Sequence, residues 1–214
     1  MQLKHIIIMS TLLKIHPETP QLRQILQAVE VLRQDGVIIY PTDSVYALGC
    51  SMHSKKALER LARFKHIKLE KARFSFICRS LQDIAEYTMP LDTRIFKILK
   101  KNTPGPFTFI LPASKKIPRM FDNSRKEVGL RIPDSNILNM IVENLGHPLL
   151  TTSIIDEDEV LEYTTDPELI WERYQNQVDL VIDGGYGNNN PTAVVNCCGP
   201  QIEIIREGST ELVM

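Results

Sequence analysis

Gly36-Val-Ile-Ile-Tyr-Pro-Thr-Asp-Ser-Val-Tyr-Ala-Leu-Gly49 is the stretch whose reading decides the fold. Val37 to Tyr40 reads as a buried strand. Pro41 ends it, because a residue with no N–H cannot continue a ladder. Just past the carboxyl end of that strand come Thr42, Asp43, Ser44 and Tyr46. In α/β sheets this edge is where ligands tend to bind. A capped strand-to-helix turn would use the same residues, so the stretch taken alone leaves both readings open.

Working outward, helical and strand patterns alternate. Leu22, Ile25, Leu26, Val29 and Leu32 recur at helical spacing, with Gly36 as the stop. Ser54 caps a second helix carrying Leu58, Leu61 and Ala62, Ser80 opens a short one, and Asp92 caps another with Ile95, Phe96 and Leu99. Helices are also predicted over Ser135 to Asn144 and Asp166 to Tyr174. Strands are predicted over Arg73 to Cys78, Phe107 to Leu111, Val128 to Arg131, Leu149 to Ser153 and Val178 to Ile182. Gly184 to Pro191 is a loop, and Thr192 to Cys197 with Gln201 to Arg206 form a closing hairpin. No repeat, low-complexity tract or long linker interrupts the pattern. The expected organisation is a leader and first strand (1–15), one α/β domain (16–208) and a C-terminal tail (209–214).

At 214 residues, with 43% hydrophobic and 24% charged content, the chain can bury a full core as an ordinary globular protein. Met1 to Leu13 faintly resembles a signal peptide, but Ser10 and Thr11 break the apolar run and no small-residue cleavage site follows. No stretch approaches the roughly 18 apolar residues a membrane span needs. Cys50, Cys78 and the adjacent Cys197 and Cys198 have no Cys-x-x-Cys spacing, which argues against a zinc site or a disulfide framework. A cytoplasmic protein with reduced thiols and no membrane partner is expected. If the adjacent pair lies in a strand, at most one of the two is deeply buried.

The formal net charge of −1 conceals a strong segregation. Residues 55–131 hold 19 Lys or Arg against 7 Asp or Glu, whereas residues 132–214 hold 2 against 15. This pattern suits a basic surface for a polyanion, or two halves that neutralise each other in the fold. Aromatic residues within 55–131 look like core, so phosphate contact rather than base stacking is indicated.

Standard catalytic signatures are missing: no P-loop, no dinucleotide fingerprint, no His-Glu-x-x-His and no nucleophile elbow. The five histidines have no metal-ligand spacing, and His16-Pro17 and His147-Pro148 look like structural turns. What remains is a set of polar residues at strand ends. Thr103-Pro-Gly-Pro-Phe-Thr108 makes a rigid turn before a strand. Arg131, before Ile132-Pro133, places a guanidinium where it could fork onto a carboxylate or phosphate. Thr151, Thr152 and Ser153 put three hydroxyls at another strand end.

Taken in order, these pieces resemble the YrdC family, whose best-known members are threonylcarbamoyl-AMP synthases. The matching segments are Tyr40 to Gly49, Pro104 to Leu111, Val128 to Pro133, Pro148 to Ser153, Pro191 to Val195 and Ile205 to Gly208. The His16 to Gln21 lead-in, Asp43-Ser44 and the Asn102 to Gly105 turn are similar to the YciO branch. The resemblance implies an open, twisted mixed sheet with flanking helices and a concave, positively lined cleft. It also implies a reaction in which threonine and bicarbonate give a carbamate that attacks the α-phosphate of ATP and expels pyrophosphate, with Mg2+ assisting. Such chemistry needs alignment and charge neutralisation more than a covalent nucleophile, so no catalytic residue and no protein-bound metal are assigned. By the family pattern Thr42, Tyr46, Arg131 and Thr192 would bind substrate, while His66, Lys68, Thr151, Ser153 and Arg206 would bind nucleotide or phosphate.

The chain departs from the synthase pattern twice. Where synthases carry Lys-x-Arg before a strand, counting back from Phe74 to Cys78 gives His66 and Lys68, and the literal Lys71-Ala-Arg73 lies too near the strand. Where synthases continue with Ser-Ala-Asn, Ser153 is followed by Ile154-Ile155 and the acidic run Asp156 to Glu159. The expected function is therefore a YciO-type protein binding nucleotide and double-stranded or tRNA-like RNA in its cleft. The alternative is a threonylcarbamoyl-AMP synthase in tRNA modification. A carbamoyl-transfer domain of a larger maturation enzyme is disfavoured, as no zinc-finger cysteines or acylphosphatase-like segment is present. On this reading Arg131→Ala empties the site and leaves the fold intact.

Overall fold

The elements in chain order are β1 (Thr11–Lys14), α1 (Leu22–Arg33), β2 (Val37–Tyr40), β3 (Ala47–Ser51), α2 (Lys55–Phe64), β4 (Ser75–Ile77), α3 (Leu81–Tyr87) and α4 (Thr93–Asn102). They continue as β5 (Phe107–Pro112), β6 (Glu127–Arg131), α5 (Asn136–Leu145), β7 (Leu149–Ser153), α6 (Pro167–Tyr174), β8 (Leu180–Asp183), β9 (Ala193–Asn196) and β10 (Glu203–Arg206). The structure, a computed structural model, describes residues 10–69, 72–118, 126–154 and 164–214. The expected leader up to Met9, Lys71 and the acidic run Asp156 to Glu159 lie outside the described residues.

Helix starts follow local chemistry. Ser54, Ser80, Asp92, Ser135 and Asp166 each accept a backbone N–H of the first turn through the side chain. Gly146 ends α5 in the left-handed region, with φ of 82°. The end of α1 differs from expectation. Asp35, not Gly36, takes the left-handed conformation (φ 61°), and the Gly36 N–H returns to the Val31 carbonyl at 2.9 Å. Gly36 is needed for a different reason: a Cβ there would lie 2.5 Å from the Val31 oxygen.

The strands form one ten-stranded mixed sheet in the order β1-β8-β2-β3-β7-β4-β6-β5-β9-β10. Two buried clusters occupy its two faces, as period-two alternation requires. Ile38 and Tyr40 of β2 pack with α1 and α5, while Val37 and Ile39 pack with α2, α3, α4 and α6. The deciding stretch resolves as a hairpin. β2 pairs antiparallel with β3, Tyr40 opposite Ala47, so 41–46 is a strand-to-strand loop and not a strand-to-helix turn. β3 carries no alternation signal because all five of its residues are buried, in a central strand covered on both faces.

α1 and α5 cover the β2–β3 side of their face. Farther along, Thr108, Ile110, Gly129, Val194 and Asn196 stay half-buried, alternating with buried neighbours, where no helix covers them. The closing β9–β10 hairpin forms as expected, with an irregularity between Ile204 and Arg206. The expected tail is docked: Asn102 donates its amide to the Val213 carbonyl and accepts the Val213 N–H, both at 2.9 Å. Cys197 is buried and Cys198 half-buried, and desolvation pushes both thiols up to about 11. His16 and His147 take structural places. The His16 ring nitrogen accepts the Thr19 N–H, and His147 lies between Ser51 and the Pro148 carbonyl. Among the described residues no helix is long and apolar enough to cross a membrane.

Candidate functional site

Arg131 ends β6 and is 6% exposed. Its guanidinium pairs with the Asp43 carboxylate and donates to Ser44 Oγ at 3.0 Å and Thr42 Oγ1 at 3.4 Å. In sheet order β2 and β6 are four strands apart, which places them about 19 Å apart in a flat sheet. The ladder also puts Arg131 level with Ile77 and Leu149, at the end opposite Tyr40. The contact is made by the 41–46 loop and the long Arg131 side chain meeting across the intervening strands.

The 41–46 loop is held by its own hydroxyls. Thr42 Oγ1 donates to the Val45 carbonyl at 2.7 Å and accepts the Ser44 N–H at 3.0 Å. Asp43 also accepts the Asp134 N–H at 2.9 Å, tying the loop to the segment that leads into α5. Behind this cluster the buried Tyr40 hydroxyl donates to Thr151 Oγ1 at 2.7 Å. Desolvation raises the pKa of that phenol, so it stays protonated as a donor. A second cluster joins β5, β9 and β10: Thr108 and Thr192 share a hydroxyl contact at 3.0 Å, and Arg206 donates to the Thr192 carbonyl at 3.0 Å and hydroxyl at 3.2 Å.

The electrostatics link the two clusters. Burial pulls the Arg131 guanidinium below its ordinary value, Asp43 and Tyr40 oppose that, and Arg206 pushes the same way as burial. The guanidinium stays charged regardless. Arg131 Nε is buried and has no partner. Arg131 is thus a nearly dehydrated cation with one carboxylate partner and one unused donor, and the exposed Arg206 adds positive potential from the sheet edge, an arrangement that an anion would complement.

Of the residues singled out from the sequence, Thr42 and Arg131 meet directly, Thr151 stands behind them, and Thr192 and Arg206 form the second cluster. Ser153 is half-buried at the end of β7 opposite Ala47. Tyr46 belongs to the other face. Its hydroxyl donates to the Gly185 carbonyl at 2.7 Å, and a Cβ on Gly187 would lie 2.7 Å from its ring, so it anchors the glycine loop that leads to Thr192. Lys68 is exposed. His66 is exposed with φ of 52°, and the Ile67 N–H returns to the Ala62 carbonyl at 3.0 Å, which makes His66 the left-handed terminator of α2. His66→Gly is therefore expected to stabilise the fold by about 0.5–1 kcal/mol, the backbone relief outweighing the looser unfolded chain. Urea denaturation checks this, and a loss of stability would show that the imidazole makes a contact of its own.

Sequence reasoning named Asp43, Ser44 and Thr108 among the strand-end polar residues but gave them no binding role. The first two lay inside the quoted stretch, where their hydrogen-bonding types were the available signal. Among the described residues no three His, Cys, Asp or Glu side chains gather to hold a metal ion. Asp43, the carboxylate at the site, is committed to Arg131 and the Asp134 N–H, so these residues do not fit a protein-held Mg2+.

The family model Sua5_yciO_yrdC, described as "Telomere recombination", matches residues 30–208. YciO of Escherichia coli, described as an uncharacterized protein, is 42% identical over 202 residues, covering 94% of this chain and 96% of that one. The crystal structure of E. coli YciO superposes with a TM-score of 0.87 at 41% identity, covering 95% and 98% of the two chains. A threonylcarbamoyl-AMP synthase of Coxiella burnetii is 29% identical over 168 residues, 78% of this chain and 89% of that one. Sua5 of P. abyssi complexed with L-threonine shares the fold, with a TM-score of 0.82 at 20% identity, over 93% of this chain and 58% of that one.

Proposed function

Since the chain belongs to the Sua5/YciO/YrdC family, we propose that it binds the phosphates of a nucleotide and of double-stranded or tRNA-like RNA on the uncovered half of its sheet. The observation that supports this most is the buried Arg131 guanidinium, whose Nη2 bonds Asp43, Ser44 and Thr42 while its Nε has no partner, with the exposed Arg206 adding positive potential. A phosphate oxygen suits such donors, since charge-assisted bonds from guanidinium are short and strong. Thr42, Ser44, Thr108 and Thr192 would then orient the anion. Tyr46 would act on the same site by holding the 184–187 loop in place. Any magnesium would arrive on the nucleotide phosphates.

A second reading is favoured by the similarity to named threonylcarbamoyl-AMP synthases over 78% of the chain. On that reading threonine, bicarbonate and ATP meet in the same place, with Arg131 and Thr42 on the amino-acid side and Arg206 on the nucleotide side. His66 and Lys68, in place of Lys-x-Arg, would supply less charge to the triphosphate.

One series of measurements separates them. Titration of ATP is expected to show binding that Arg206→Gln weakens by at least about tenfold, the worth of a charge-assisted bond. RNA affinity is expected to fall linearly on a log–log plot against salt, with a slope reduced by about one unit in the variant. A flat salt response, or an Arg206→Gln protein that binds both ligands unchanged, overturns the proposal. Pyrophosphate release that requires threonine, bicarbonate and ATP together, and is lost in Arg206→Gln, would establish the second reading instead.

A further inference from the structure

On the face opposite the Arg131 site, α3 and α4 leave an apolar groove of about 160 Å³. Leu81 and Ala85 of α3, Met89 and Pro90 of the connection, and Phe96 and Leu99 of α4 line it. Met89 is 52% exposed and Phe96 44% exposed, a large apolar area to leave in water. One wall is cationic. Lys100 follows Phe96 by one helical turn and Lys97 lies beside it, so both stand on the solvent side of the groove. α4 contains Arg94, Lys97, Lys100 and Lys101 and no acidic residue within its bounds.

These charges differ from several of the chain's other cations, which are answered within the fold. Arg60 pairs with Asp179, Arg79 with Glu143 and Lys116 with Glu86. Among the described residues Arg94, Lys97 and Lys100 make no ion pair. The self-neutralisation suggested by the segregated sequence is thus realised at Arg60 and Arg79; on α4 Lys101 reaches Met214 at the chain end, while Arg94, Lys97 and Lys100 are left unanswered among the described residues.

We propose that the α3–α4 groove docks an acidic amphipathic helix of a partner protein. Its apolar stripe would cover Met89 and Phe96, and its carboxylates would meet Lys97 and Lys100. The two features together choose this occupant. A polyanion such as RNA answers the lysines but leaves the apolar floor wet, and a neutral apolar helix covers the floor but leaves the lysines unanswered. A helix with a hydrophobic stripe flanked by Glu or Asp satisfies both. The proposal does not depend on the nucleotide and RNA reading, because the groove shares no residue with the Arg131 site.

The test uses the full chain and a synthetic four-turn helix with Leu and Phe at i, i+3, i+4 and i+7 and Glu elsewhere. A matched peptide with Lys in place of Glu serves as the comparison. Fluorescence anisotropy is expected to show saturable binding of the acidic peptide and at least about tenfold weaker binding of the basic one. Phe96→Ser and the pair Lys97→Glu with Lys100→Glu are each expected to weaken the acidic peptide by at least about tenfold. All three positions are exposed, so these variants keep the fold, which circular dichroism verifies. The proposal is overturned if the acidic peptide does not bind or if both peptides bind alike. Unaltered binding in the variants, or displacement of the peptide by duplex RNA, anionic vesicles or a second copy of this chain, overturns it equally.

Discussion

Arg131→Ala will cost the fold about 3–5 kcal/mol, the usual effect of removing one member of a buried ion pair. Sequence reasoning expected a strand-end guanidinium that could be deleted at no structural cost. Instead the side chain is almost wholly buried and locks Asp43, Ser44 and Thr42 to the end of β6. Deleting it leaves the Asp43 carboxylate dehydrated with one remaining bond, to the Asp134 N–H. The 41–46 loop would lose its tie across the sheet. Urea denaturation at unchanged slope reads this loss directly. Arg131→Met combined with Asp43→Leu is expected to recover most of it, because replacing both charges removes the uncompensated one. That pair would then report on ligand binding in a folded protein, which the single variant cannot do cleanly. A loss below about 1 kcal/mol in Arg131→Ala would show that the pair is solvated and contributes little.

The difference between those two accounts of Arg131 marks where the sequence stops being legible. Helix starts could be read because capping is local: Ser54, Ser80, Asp92, Ser135 and Asp166 each act on a residue two or three positions away. Strands with one buried face, such as β5, could be read by alternation. β3 could not, because a strand buried on both faces has no period to detect, and Ala47-Leu-Gly-Cys-Ser51 looks like an extension of the loop. The site was legible as a set of strand-end polar residues and not as a geometry. Arg131 and Asp43 are 88 residues apart and meet only once the strands between them have assembled into the sheet. Tyr46 shows the same limit. Its place in the motif marks it as important, while the face it occupies depends on β3 pairing back onto β2.

Gly49→Ala will be nearly as damaging, at about 3 kcal/mol, and the reason lies in what surrounds that one hydrogen. A Cβ at Gly49 would stand 2.7 Å from the Leu150 carbonyl oxygen and 2.7 Å from both the ring edge and the hydroxyl of Tyr40. Neither neighbour can retreat. Leu150 belongs to β7, which is paired to β3 on one side and β4 on the other. Tyr40 is fully buried and its hydroxyl is bound to Thr151. Overpacking of a well-filled interior costs about 1–3 kcal/mol, and the upper end applies where the clash is against backbone. The loss should be partly restored by Tyr40→Leu in the same chain, since removing the ring frees one side of the clash. The double-mutant cycle is therefore expected to be non-additive by more than about 1 kcal/mol. Additive losses would mean that β3 shifts away from Tyr40 rather than pressing on it. The same substitution reaches the anion site, because Tyr40 positions Thr151 directly behind Arg131. At temperatures where Gly49→Ala stays folded, its affinity for ATP should fall while the α3–α4 groove still binds its acidic peptide, a contrast that would show the strain to be confined to the α1–α5 face of the sheet, which also carries the Arg131 site.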